Sequence, residues 1–130
     1  MTAPADRIRA ANRELLERGR ASAAGEYFAP GYVVHLTGGD RRGLRLVQSF
    51  VRGIRKAFSD ISVEVEILAS GRDRVAWQRT VRAQHSRAFQ GFPASDRAIV
   101  WRDMFVSRFE DGKIAEEWAV SDLAERLLRG

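Results

Sequence analysis

Cysteine is absent from this chain of 130 residues, which excludes a disulfide framework and any thiolate-ligated metal. Histidine is scarce: only His35 and His85 occur, too few for a histidine-built zinc site. No apolar run nears the roughly 20 residues that a membrane-crossing helix needs. The opening stretch MTAPADRIRA also lacks the apolar centre of a secretory signal. A cytoplasmic protein without a membrane partner is the expectation. Lysine occurs only at Lys56 and Lys113, so the net charge of +5 is carried almost wholly by arginine. Those arginines alternate with acids, as at Arg9, Arg13, Glu14, Glu17 and Arg18, rather than gathering on one arm or face. Nucleic acid is therefore not expected as a partner.

What is present reads as one domain over residues 1–130, large enough to bury a core unaided. Apolar spacing predicts a helix over 5–18, a short one over 20–28 and the longest over 43–58. A strand at 32–36 lies among these helices, and TGGDRRG before the longest one reads as a loop. Four strands follow, at 61–69, 74–86, 97–110 and 113–121, with a closing helix over 122–129 capped by Ser121 or Asp122. Helices first and strands after predict an α+β fold, a curved antiparallel sheet with helices against one face.

The pair Asp111–Gly112 predicts a two-residue type I′ turn. Regular pairing from that turn sets Phe109 against Ile114, Phe105 against Trp118, Asp103 against Val120 and Trp101 against Asp122. One face would then carry Trp101, Asp103, Phe105, Trp118 and Asp122, and the other Arg102, Arg108, Glu117 and Ser121. Two carboxylates among aromatic rings cannot both ionise freely, and a carboxyl pushed upward suits general acid–base chemistry. Plainer roles stand beside this one: Asp122 as a helix cap, Asp103 paired with Arg79, the aromatics as core, and both histidines as structural.

The stretch AQHSRAFQGFPASDRAIVWRDMFVSRFEDGKIAEEWAVSDLAERLL resembles the C-terminal half of the SnoaL-like polyketide cyclase family, within the nuclear transport factor 2-like superfamily. Carrying the resemblance are His85, Phe89, Gly91 and Pro93, then Trp101, then Arg108 through Ile114, Glu116, Trp118 and Asp122. YFAPGYVVH, with His35, resembles the family's first strand. Three departures bear on substrate: AQHSR at 83–87, PASD at 93–96, and Phe105 where an acid is common.

The resemblance implies a cone-shaped sheet with an apolar pocket, a homodimer formed through the sheet, and an enzyme needing neither metal nor organic cofactor. It implies general acid–base, aldol-type ring closure of a polycyclic or polyketide-like small molecule. Asp122 would be the base, His35 would polarise a carbonyl, and Asp103 would assist. Trp101, Phe105, Trp118, His85 and Arg79 would hold the substrate. The alternatives are an epoxide hydrolase or hydroxylase built on Asp103, Arg79 and Asp122, and a small-molecule-binding dimer without catalysis.

Overall fold

The computed structural model describes residues 3–129. The chain opens with α1 (Pro4–Ala11), which runs directly into a wider π-helical segment, Asn12–Glu17. A 3₁₀ turn, Ala21–Ala23, and α2 (Ala24–Tyr27) lead into β1 (Phe28–Leu36). β2 (Gly39–Arg42) precedes α3 (Leu44–Ala57), and four long strands follow: β3 (Phe58–Ser70), β4 (Arg74–His85), β5 (Ala98–Glu110) and β6 (Lys113–Ser121). The chain closes with α4 (Leu123–Arg129).

The strands form one curved, unclosed sheet in the order β2-β1-β6-β5-β4-β3. Two features differ from the sequence expectation. The run read as a loop before α3 supplies β2, which pairs with β1 through His35–Asp40 and Leu36–Gly39. All four β2 residues are exposed, so no apolar alternation marked the strand. The sheet is also mixed: β1 lies parallel to β6, with Val33 opposite Glu116 and His35 opposite Trp118.

The concave face is closed by helices. α3 buries Val47, Val51, Ile54 and Ala57, a three-to-four-residue spacing that presents one stripe to the sheet. Its last turn carries Arg55 and Lys56, where cations favour the helix dipole. Ile8, Ile54, Phe58 and Val81 are at most 2% exposed and form the centre of the core. None of the helices among the described residues is long and apolar enough to cross a membrane.

The turn at Asp111–Gly112 forms as expected, with both residues at positive φ and Glu110 paired to Lys113. The regular register does not continue. After Phe109–Ile114, an extra residue in β6 makes Arg108 face Glu116, Ser107 face Glu117, Val106 face Trp118 and Asp103 face Ser121. A β-bulge inserts one unpaired residue and bends its strand, so Ala115 is accommodated here and every later side chain on β6 changes face. Glu117, Ala119 and Ser121 turn inward, whereas Glu116 and Trp118 turn outward.

Candidate functional site

Between the helices and the concave sheet lies a cavity of about 230 Å³, lined mostly by apolar side chains from α1, α3, β1, β4, β5 and β6. Its polar groups are few: Asn12, Tyr32, Arg79, Asp103, Glu117 and Ser121. All but Ser121, whose Oγ accepts the Leu123 backbone N–H, fall into two hydrogen-bonded sets.

The first set is ionic. Arg79 Nε donates to Asp103 Oδ2 at 2.7 Å, and Arg79 Nη1 donates to Asn12 Oδ1 at 2.8 Å. Both members of the ion pair are buried, at 8% and 4% exposure. An isolated charge at this depth is costly, and each compensates the other. The guanidinium lies 4.8 Å from the Phe105 ring centroid, and Phe105 stacks on Trp77 at 4.4 Å. Asn12 is the first residue of the π-helical segment and donates through Nδ2 to the Ile8 carbonyl. The widened turn brings an amide into a stripe otherwise made of Ile8, Leu15 and Leu16.

The second set centres on a buried carboxyl, Glu117. Tyr32 Oη lies 2.6 Å from Glu117 Oε1, and Ser107 Oγ bonds Glu117 Oε2. Trp77 Nε1 donates to Ser107 Oγ at 2.8 Å. Glu117 is 3% exposed, and among the described residues no cation bonds it. Burial pushes its carboxyl above the usual range, more than Ser107, Tyr32 and the charge of Arg79 draw it down. Burial and the neighbouring Glu117 likewise hold the Tyr32 phenol well above its ordinary value.

The residues picked out from sequence divide in the same way. Arg79, Asp103, Trp101 and Phe105 line the cavity together, whereas Asp122, His35, Trp118 and His85 lie outside its lining. Asp122 is a correction that follows from the bulge. Its Oδ1 accepts the Arg102 backbone N–H at 2.7 Å and its Oδ2 accepts from Arg126 Nε at 3.2 Å, so it ties the start of α4 to β5. The Asp103, Arg79 and Asp122 trio is therefore not assembled.

Trp118 and His35 stack on the opposite side of the sheet, 5.1 Å between centroids. His35 bridges Asp40 at 2.8 Å and Glu116 at 2.6 Å, and both acids raise its pKa, Glu116 the more. His85 lies behind Phe58, stacked at 5.0 Å, with Nδ1 on Ser95 Oγ and Nε2 without a partner among the described residues.

Sequence reasoning missed Asn12, Tyr32 and Glu117 as cavity groups, and Ser107 as the residue behind Glu117. Asn12 interrupts an apolar helical stripe, and that signal was readable. Glu117 gave none, because the bulge alone decides which of two adjacent glutamates turns inward.

The sequence model of the SnoaL-like polyketide cyclase family matches residues 6–128. No curated protein matches the chain in sequence. Solved structures share the fold. A candidate polyketide cyclase from Acidithiobacillus ferrooxidans superposes with a TM-score of 0.83 at 24% identity, covering 99% of this chain and 95% of that one. IdmH from Streptomyces antibioticus, a candidate polyketide cyclase, gives 0.77 at 30% identity over 98% of each chain. AclR from Streptomyces galilaeus, a candidate hydroxylase, gives 0.78 at 30% identity over 98% of this chain and 82% of that one.

Proposed function

From the premise that this chain belongs to the SnoaL-like polyketide cyclase family, we propose that it closes a ring in a carbonyl-bearing, polyketide-like small molecule by proton transfer alone. The observation that carries this reading is the buried Asp103–Arg79 pair set among Trp77, Phe105 and Trp101 at the cavity wall. Asp103 takes the role of base. Arg79 fixes its Oδ2, and Oδ1 makes no hydrogen bond among the described residues, so one carboxylate oxygen is free to take a proton α to a carbonyl. The same guanidinium, already fixed by Asn12, stands ready to stabilise the enolate oxygen that results. The aromatic wall excludes water and favours a flat ring system.

The chemistry asked of these groups is modest. A proton flanked by two carbonyls is already acidic, and fixing an intramolecular nucleophile against its acceptor contributes on the order of 7 kcal/mol.

A β-ketoester with a pendant ketone on an anthraquinone frame tests the reading. Incubation with the protein should yield a ring-closed isomer of unchanged mass, or its dehydrated form, by liquid chromatography and mass spectrometry. Asp103→Asn should lower kcat/KM at least a hundredfold; unchanged turnover in that variant sinks the assignment.

A second reading, addition of water to a strained ring, draws on one observation. Arg79 bonds Asp103 and also acts electrostatically on Glu117, so a guanidinium serves two carboxyls in one cavity. Incorporation of ¹⁸O from labelled water into product separates this from ring closure, which takes up none.

A further inference from the structure

The cavity holds a second carboxyl that the base does not use, and its bonding decides where a proton stands. We propose that Tyr32 is the acid of this cavity and that Glu117 is the proton store behind it. This rests on the acid–base reading of the same site.

The argument is a count of donors. Ser107 Oγ accepts the Trp77 indole N–H, and its single proton is directed to Glu117 Oε2. Oε2 is thus an acceptor, which leaves Oε1 as the oxygen that carries the proton of a neutral Glu117. Oε1 faces Tyr32 Oη at 2.6 Å. Tyr32 Oη–H donates to Oε1 when Glu117 is ionised; with Glu117 neutral the bond reverses, Oε1–H donates to Tyr32 Oη, and the phenolic proton is released to point elsewhere. Tyr32 lines the cavity, so that proton has the cavity to point into.

The groups facing Glu117 draw its carboxyl down, but less than burial pushes it up. Tyr32 comes from β1, Trp77 and Arg79 from β4, and Ser107 from β5; the one cation, Arg79, is bonded to Asp103 and Asn12 instead. Glu117 is 3% exposed and none of the described cations bonds it, and this burial pushes its carboxyl upward, the direction that favours a proton on Oε1. Phe28 packs edge-on to the Tyr32 ring at 4.8 Å and holds the phenol in place.

The proton balance closes. Asp103 takes the α proton and becomes neutral. The new carbon–carbon bond forms as the acceptor carbonyl's π electrons move to its oxygen. Tyr32 Oη–H gives its proton to that oxygen, and Oε1–H of Glu117 restores Tyr32. One proton then remains on Asp103 and one is missing from Glu117; exchange with solvent on product release resets both.

Two measurements test this without any turnover. The first is infrared difference spectroscopy of wild type against Glu117→Gln at neutral pH. A protonated-carboxyl C=O band that shifts in D₂O, and shifts again in Tyr32→Phe, is expected; carboxylate bands alone overturn the proposal. The second uses 2-naphthols of graded acidity as oxyanion probes, with 2-methylnaphthalene as the probe lacking a hydroxyl. Tyr32→Phe should weaken the most acidic naphthol at least tenfold and leave 2-methylnaphthalene unchanged, which also shows that the cavity persists. Equal losses for all probes overturn it. Inactivity of wild type toward the β-ketoester alters neither outcome, so failure of the ring-closure reading is told apart from failure of this one.

Discussion

Two carboxyls in one cavity differ because their partners differ, and each difference can be measured in a single side chain. Burial holds the Glu117 carboxyl above its ordinary value of 4.5, the value at which it ionises once unfolded. The folded chain then binds more protons than the unfolded one, so stability is greatest below that value and falls as pH rises toward the folded-state pKa. Glu117→Gln should abolish this loss: urea unfolding across a pH series should find the variant steadily gaining on wild type from acid to neutral pH. A constant difference between the two would mean that Glu117 is ionised in the fold. Asp103 makes the opposite case. Asp103→Asn strands the Arg79 charge in an apolar wall, and removing one partner of a buried pair costs about 3 kcal/mol or more. Urea midpoints should fall accordingly. Replacing both members, as in Asp103→Leu with Arg79→Met, should recover much of that loss and still leave the protein inactive.

At the scale of the element, local signals in the sequence carried the long helix, the four long strands and the turn, because each is written in contiguous residues. The alternation of β4 and the stripe of α3 survive in the fold unchanged. Gly112 lies at φ 78° with nothing near the position of an added Cβ. Gly112→Ala should therefore cost only the left-handed backbone term, about 1 kcal/mol, read as a shifted urea midpoint with activity kept. The bulge at Ala115 was not legible, and the reason is physical. Both registers of β6 offer apolar residues to the cavity: Trp118 and Val120 in one, Ala119 with Val120 at the rim in the other. What separates them is contact with a distant strand. With the bulge, Glu116 meets His35 and Arg108, and Trp118 stacks on His35, all outside the cavity. β1 has its own irregularity between Phe28 and Val33, opposite the same place. Parallel pairing of β1 with β6 thus sets the register, and no window of sequence holds both strands. Asp103, Arg79, Trp101 and Phe105 sit upstream of the bulge and keep the face expected of them, whereas Asp122 and Trp118 sit beyond it and do not.

For the molecule as a whole, the unsolved face is the convex side of the sheet. The cross-strand row Glu66, Gln78, Met104 and Val120 runs over it, with Met104 46% and Val120 56% exposed. The next row runs Glu64, Thr80 and Arg102, acidic at the β3 margin and basic on β5. With acids at the β3 margin and Arg102 beside exposed Met104 on β5, the face carries charges of both signs next to an apolar stretch. A two-fold axis through the middle sets the acids of one copy near the arginines of the other, as an isologous interface requires. A second copy is therefore the occupant expected on this face, in accord with the homodimer that the family resemblance implies. Light scattering coupled to size exclusion should give a mass near twice 14.6 kDa. Met104 is absent from the cavity lining, so Met104→Glu should halve that mass and leave the far-ultraviolet circular dichroism and 2-methylnaphthalene binding as they were. A wild-type protein that elutes as a single chain at tens of micromolar would leave this apolar row to another partner. A Met104→Glu variant that stays dimeric would move the interface to another face of the molecule.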